Sequence, residues 1–340
     1  MQTLLRSSLV LFIAVAQGHA VNILNESQSA ESVGIVFDVW HHTWYGDDPD
    51  FLSFPKARTT ANAFSNVTER MVSDLSFAYP WWNGLDNHFT VNCFNLDVEG
   101  RAGTAWAHKV DLDAPFLMRI NEIEIRALCL HEVFHQMQRQ YIRGDFLGFA
   151  IYLQLGSFGT ESTATFAQDI VFSDLDTQSG QFQDQALRLV WCDPGTRLPD
   201  REYDGALFWT YATEQLGTET NEPTRGIDFF YEVFEEIRVL SASTSYNSLF
   251  NAFRNVLDQK GTDLRQLYSR FGLCNGIHHL AVSASVEKRL GGSKSVRYAD
   301  NVGDEFEFPE NTFVTTLPFL STGFVNPLGT QYHLLELPAV

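Results

Sequence analysis

His131-Glu132-Val133-Phe134-His135 is the stretch on which the reading of this chain turns. On an α-helix, residues four apart lie on one face, a single turn from each other. His131 and His135 can therefore aim two imidazole nitrogens at one cation. Glu132 lies beside them, near enough to act on a water held there. The flanking residues predict the helix itself. Asn121 is placed to cap it, and Glu124, three residues on, completes a capping box. Ile123, Leu128, Leu130, Val133, Phe134 and Met137 supply apolar side chains away from the histidines. Gly144, after Tyr141-Ile142-Arg143, is a suitable stop. The expectation is a buried helix of about 20 residues over 121–143, longer than average. Its two histidines are either core imidazoles bonded to neighbours or two donors of a metal site.

The rest of the chain sets bounds on that choice. With 340 residues it has room for two domains or one large one. It is 44% hydrophobic with 28 Phe and 7 Trp, enough for an aromatic-rich core. Residues 1–20 read as a secretory signal: Arg6, the apolar run Leu9 to Ala16, and Gly18-His19-Ala20 before a cleavage point at Val21. That run is too short to span a bilayer, and no other segment is long and apolar enough. An exported, extracellular protein is expected. Four cysteines, Cys93, Cys129, Cys192 and Cys274, then favour disulfides, with Cys192–Cys274 and Cys93–Cys129 as the chosen pairing. Cys129, two residues from His131, points elsewhere on the helix and is a poor metal ligand. A net charge of −19 repels phosphate backbones and argues against nucleic-acid binding. Asn25-Glu26-Ser27 and Asn66-Val67-Thr68 match the N-glycosylation acceptor pattern.

Along the chain, 33–120 reads as strand-rich. Strands are expected at Val33 to Trp40, Phe89 to Val98, Gly103 to Val110 and Phe116 to Ile120, with a helix from Thr59 to Tyr79. Helices are expected at 160–172, 204–216, 227–239, 246–257 and 262–271, and short β structure after 285. This gives an α+β class. The expected divisions are the signal (1–20), an N-terminal lobe ending in the metal helix (21–145), a helical lobe (146–283) and a β-rich C-terminal segment (284–340).

A hydrolytic zinc site has three protein ligands and one open position. The best third donor is Glu161, 26 residues past His135, which leaves room for a turn and a second helix packed on the first. Ser162, Ala164 and Thr165 are small enough for close approach. At this point the sequence resembles the zincin metallopeptidases, and within them the gluzincin branch with its downstream glutamate. The resemblance is carried by His131-Glu132-Val133-Phe134-His135, by Glu161-Ser162-Thr163-Ala164-Thr165 and by Tyr203-Asp204-Gly205-Ala206-Leu207-Phe208-Trp209, over about residues 100–240. It implies a zincin-like fold, Zn2+ held by His131, His135 and Glu161, and a protein or peptide substrate. It also implies Glu132 as general base and Tyr203 as a donor to the oxyanion. The chain departs from the familiar gluzincins in two ways. Thr165 stands where an Asp would orient a ligand histidine, Asp169 one turn on being either a substitute or, in the favoured reading, a solvated or capping residue, and the gap to Glu161 is long. No metzincin extension follows the motif.

Three functions fit: a secreted zinc endopeptidase, a non-catalytic secreted binding protein on the same scaffold, or a zinc aminopeptidase. The adjacent pairs His41-His42 and His278-His279 point to opposite faces on a strand. Asp47-Asp48-Pro49-Asp50 lacks EF-hand spacing and reads as a turn. No nucleophile elbow, phosphate loop or dinucleotide fingerprint is present.

Overall fold

Val33 and Gly34 both take positive φ, 48° and 80°. Two such residues make the tight turn whose twist suits a hairpin. They join β1 (Glu26–Ser32) to β2 (Ile35–His41), with Ser32 opposite Ile35. The computed structural model to which these residues belong describes 26–42, 50–78, 80, 87–96, 102–106, 109–142, 155–171, 196–221, 224–241, 248–278, 313–316 and 333–336. The signal segment, Asp47 to Pro49, Gly144, Cys192 and His279 lie outside them.

From β2 the chain crosses through helix α1 (Phe54–Glu69), extended by a π-helical turn (Arg70–Asp74), to the parallel strand β3 (His88–Phe94). Then come β4 (Gly103–Ala105) and β5 (Lys109–Asp113), an antiparallel pair at the far side of the sheet. The order is β1-β2-β3-β5-β4, with β5 parallel to β3 and β4 at the edge. A single strand over 103–110 was expected; the chain instead reverses between two short ones, Trp106 N–H donating to Lys109 C=O at 2.8 Å.

Alternation along β2, β3 and β5 sorts the sheet into two faces. Ile35, Phe37, Val39, Phe89, Val91, Cys93, Val110 and Leu112 are all buried on one of them. Ala57, Ala61, Phe64 and Val67 of α1 are buried with them. The rings of Phe37, Phe64 and Phe89 meet at 5.5 to 6.5 Å. Phe116 to Ile120, expected as a strand, lies instead on helix α2 (Ala114–Arg119) and its cap. Asp113 caps this helix by accepting from Phe116 N–H at 2.9 Å, and Pro115 sits in its first turn. A cap and a first-turn proline start a helix more firmly than two β-prone residues resist it.

Helix α3 (Glu122–Tyr141) carries the histidines. It begins as the sequence implies: Asn121 Oδ1 accepts from Glu124 N–H at 3.0 Å, and Glu124 Oε2 accepts from Asn121 N–H at 2.7 Å. One side of α3 faces α1, where the Cys129 thiol donates to Thr60 C=O at 3.9 Å. The other side meets the helical half of the chain. That half contains α4 (Thr163–Val171), α5 (Ala206–Leu216), α6 (Ile227–Ser241), α7 (Ser248–Gln259) and α8 (Leu264–His278). Phe134 of α3 packs on Phe77, Phe230 and Phe234 at 5.6 to 5.8 Å, and Trp209 and Phe166 close on Phe230 at 5.1 and 4.8 Å. Each such ring contributes about 2–3 kcal/mol by leaving water. Helix α3 is thus packed between α1 on one side and this aromatic cluster on the other. Two parallel strands, β6 (Phe313–Thr316) and β7 (His333–Glu336), form a separate pair. No described helix is long and apolar enough to cross a membrane.

The cap of α3 is exposed and distant from the histidines by two turns or more, so it can be removed cleanly. Asn121→Ala should lower stability by about 1 kcal/mol in denaturant titration, while leaving metal affinity unchanged.

Candidate metal centre

The four-residue spacing does in three dimensions what it promises on paper. His131 Nε2 and His135 Nε2 stand 3.0 Å apart, with the two rings perpendicular and their centroids 4.6 Å apart. Glu161 reaches them from a π-helical turn (Phe158–Ser162) that runs straight into α4. Its Oε2 lies 3.2 Å from His131 Nε2 and 3.5 Å from His135 Nε2. One donor atom from each residue falls within a 4.8 Å span. The side chains are only 11%, 11% and 15% exposed.

Donor type and spacing both suit zinc. Ligand atoms about 2.0–2.1 Å from a tetrahedral ion stand roughly 3.3 Å apart, and the three separations bracket that value. Among the described residues this is the one group of three or more such side chains placed to hold a metal.

His135 and Glu161 shift one another's protonation. Burial alone would lower the pKa of His135. The hydrogen bond and charge of Glu161, helped by Glu132 and Gln138, outweigh it and raise the group to about 9. Burial would likewise raise the Glu161 carboxyl, but the two imidazoles hold it well below the usual carboxylate range.

A residue that the sequence did not single out fixes the geometry. His135 Nδ1 meets Gln138 Oε1 at 3.0 Å. The Gln138 amide in turn donates to Thr160 C=O at 2.9 Å and to Thr163 Oγ1 at 2.7 Å. An acceptor on Nδ1 places the ring proton there and leaves the Nε2 lone pair for a metal. Gln138 therefore orients a ligand-type histidine, a task for which Asp169 was one candidate, and also ties α3 to the turn carrying Glu161. Its signal was available: it lies one turn beyond His135 on the same helix.

Tyr203 comes next to this group rather than into the core. It opens a 3-10 turn (Tyr203–Gly205) ahead of α5, and its ring lies over that of His131, 5.9 Å away at 29°. It is 38% exposed, with its phenol in the field of Glu161 and Glu132. Burial, then the charges of Glu161 and Glu132, push the phenol up, so it keeps its proton at neutral pH. The turn is anchored by a buried pair, Arg201 Nη1 to Asp204 Oδ2 at 2.5 Å. Gly205 makes room for it: a Cβ there would lie 2.7 Å from the Phe158 ring and 2.8 Å from Ser162 Cβ.

Glu132 is buried, 4% exposed, against the edge strand. A Cβ on Gly103 would sit 2.5 Å from Glu132 Oε1, so a side chain there would push the carboxylate aside. The helix also holds that strand by its main chain. Gln136 Nε2 donates to Trp106 C=O at 2.7 Å and Arg139 Nη2 to Ala105 C=O at 3.3 Å. Gln136 and Arg139 give no signal in the sequence, since their partners are distant along the chain; Gly103 stands there only as the start of a candidate strand.

The expected Cys93–Cys129 disulfide is not formed; both are free, buried thiols. Burial pushes both thiols well up, away from the thiolate that disulfide chemistry needs. The Cys192–Cys274 pairing lies outside the described side chains.

No protein-family model and no curated protein matches the sequence. Solved structures that are similar include an M1 zinc metallopeptidase from Deinococcus radiodurans, at 14% identity and a TM-score of 0.37 over 80% of this chain and 52% of that one. A glutamate-to-alanine mutant of an M1 zinc metallopeptidase from the same organism is similar at 14% identity and a TM-score of 0.36, covering 69% and 50%. That mutant bound to a Tyr-Ser-Ala substrate gives 15% and 0.36, covering 69% and 48%. The chain thus spans about half the length of these structures.

The hydrogen bond that orients His135 can be tested directly: Gln138→Leu should weaken zinc binding by roughly 10- to 100-fold in chelator competition. Because His135 must release its proton to bind a metal, zinc affinity should rise as pH rises toward about 9. The slope should be about tenfold per pH unit for one displaced proton, flattening above that pH. Calorimetry in buffers of different ionisation heat should count that proton.

Proposed function

We propose that this chain is an exported, zincin-like hydrolase that cleaves peptide bonds with one Zn2+ held by His131, His135 and Glu161. The observation that carries this reading is the convergence of those three donors beside a buried Glu132 and a strand at the sheet edge. A bound zinc would supply Lewis acidity and bring the pKa of a coordinated water to ~7.

The protein's own groups divide the remaining work. Glu132 takes a proton from the attacking water and returns it to the leaving amine. Gly103, with no side chain, lets strand β4 lie against the carboxylate without displacing it. Tyr203, protonated at neutral pH, donates a hydrogen bond to the oxygen that gains charge as the carbonyl becomes tetrahedral. Among the described residues, strand β4 is paired on one side alone, with β5. Its other side offers main-chain donors and acceptors to an extended peptide. Gln136 and Arg139 hold that strand at a fixed height over the centre. A scaffold that merely binds metal has no use for a carboxylate at position 132, which is why hydrolysis is preferred over a binding role.

Glu132→Gln should keep full zinc and lose peptide hydrolysis by roughly a hundredfold to ten-thousandfold. Tyr203→Phe should lower kcat by about a hundredfold with little change in KM. Gly103→Ala should behave like the Glu132 variant in zinc content and fall between the two in rate. A wild-type protein that binds zinc stoichiometrically and cleaves no casein or peptide library would end this reading.

A further inference from the structure

Helix α1 has a solvent stripe and a core stripe, and Asn66-Val67-Thr68 is split between them. Pro55, Arg58, Asn62, Asn66 and Glu69 are exposed, at steps of three and four residues. Ala57, Thr60, Ala61, Phe64, Val67 and Thr68 are buried on the other side. Each residue advances about 100° around a helix, so Asn66 and Thr68 stand about 200° apart. Asn66 points to water. Thr68 is 0% exposed, and its hydroxyl has no hydrogen-bond partner among the described residues. A valine of the same shape would fill that site with no polar group to desolvate. The folded protein therefore gives no reason for the hydroxyl. The acceptor pattern does, because a hydroxyl two residues after the asparagine is what makes Asn66 an acceptor.

We infer that Asn66 is an N-glycosylation site, and that it is modified before α1 folds. In the transfer, Asn66 Nδ2 loses one proton and bonds to the anomeric carbon of an oligosaccharide. The bond that breaks joins that carbon to a lipid diphosphate donor, which departs with its phosphates. No oxidation or reduction is involved. An enzyme that must engage the amide and the hydroxyl together can do so on an extended chain, where both are reachable. It cannot on the finished helix, where one faces water and the other the core. After folding, the glycan projects from the exposed stripe of α1 and displaces nothing.

The test uses the full chain with its own N-terminus in a eukaryotic secretory host. Peptide mapping before and after peptide-N-glycosidase should show the Asn66 peptide glycosylated in the secreted protein. Asn66→Gln and Thr68→Val should lose the glycan, and Thr68→Ser should keep it. Between the two unglycosylated variants, Thr68→Val should melt at the higher temperature, because it alone removes the unpaired hydroxyl. Folded, unmodified protein from bacteria should resist a purified oligosaccharyltransferase that modifies the free peptide of residues 60–72. An unmodified Asn66 in secreted wild type, or a chain that never enters the secretory route, overturns the site. Efficient modification of the folded protein overturns the order of events.

Discussion

Two imidazoles and a carboxylate are held largely out of water where α3 meets the turn Phe158–Ser162, and they have to be reconciled with burial. Each would be costly there alone, since removing a charge or an unpaired ring nitrogen from water is not offset by packing. Together they are balanced, either by a proton shared among them or by a cation. The surrounding architecture keeps them at that distance. Phe134, flanked by His135 on the same helix, locks α3 against Phe77, Phe230 and Phe234. Gln138 bridges from His135 to Thr160 and Thr163, so the two helices cannot separate without leaving polar groups unmet.

The turn that bears Glu161 is wound more loosely than an α-helix. Such π turns are uncommon and tend to occur where a side chain needs to be re-aimed. Here the loosened turn is backed by Phe158, which stacks on Trp209 at 5.9 Å and 12°. Trp209 also donates its indole N–H to Ser162 Oγ at 3.0 Å. Gly205 lets the turn carrying Tyr203 press against the same two residues. The carboxylate and the phenol are thus aligned by one shared patch of packing, although 42 positions separate them in sequence.

What could be read in the chain beforehand was whatever depends on near neighbours. The capping box of α3, the histidine spacing and the helices at 206–216 and 227–241 are local patterns, and their physics acts over a few residues. What could not be read depends on distant partners. Strand β1, Glu-Ser-Gln-Ser-Ala-Glu-Ser, has no alternation to betray it and exists because β2 pairs with it along its whole length. The reversal between β4 and β5 is invisible in an apparently continuous β-prone run. Phe116 to Ile120 misled because its composition suits a strand while Asp113 and Pro115 upstream favour a helix. Gln138 went unnoticed because an amide three residues past a histidine is ordinary until its other end is seen to hold a second helix. Glu161 could be named as a donor in advance, yet its distance to the imidazoles could come only from coordinates.

Strand β4 has a further consequence, for solubility. A sheet edge is a template on which other chains can assemble into extended sheets. This one is three residues long, begins at a glycine, and ends where Gln136 clasps the main chain at Trp106. So short and so firmly held an edge offers no continuous rail along which many copies could stack.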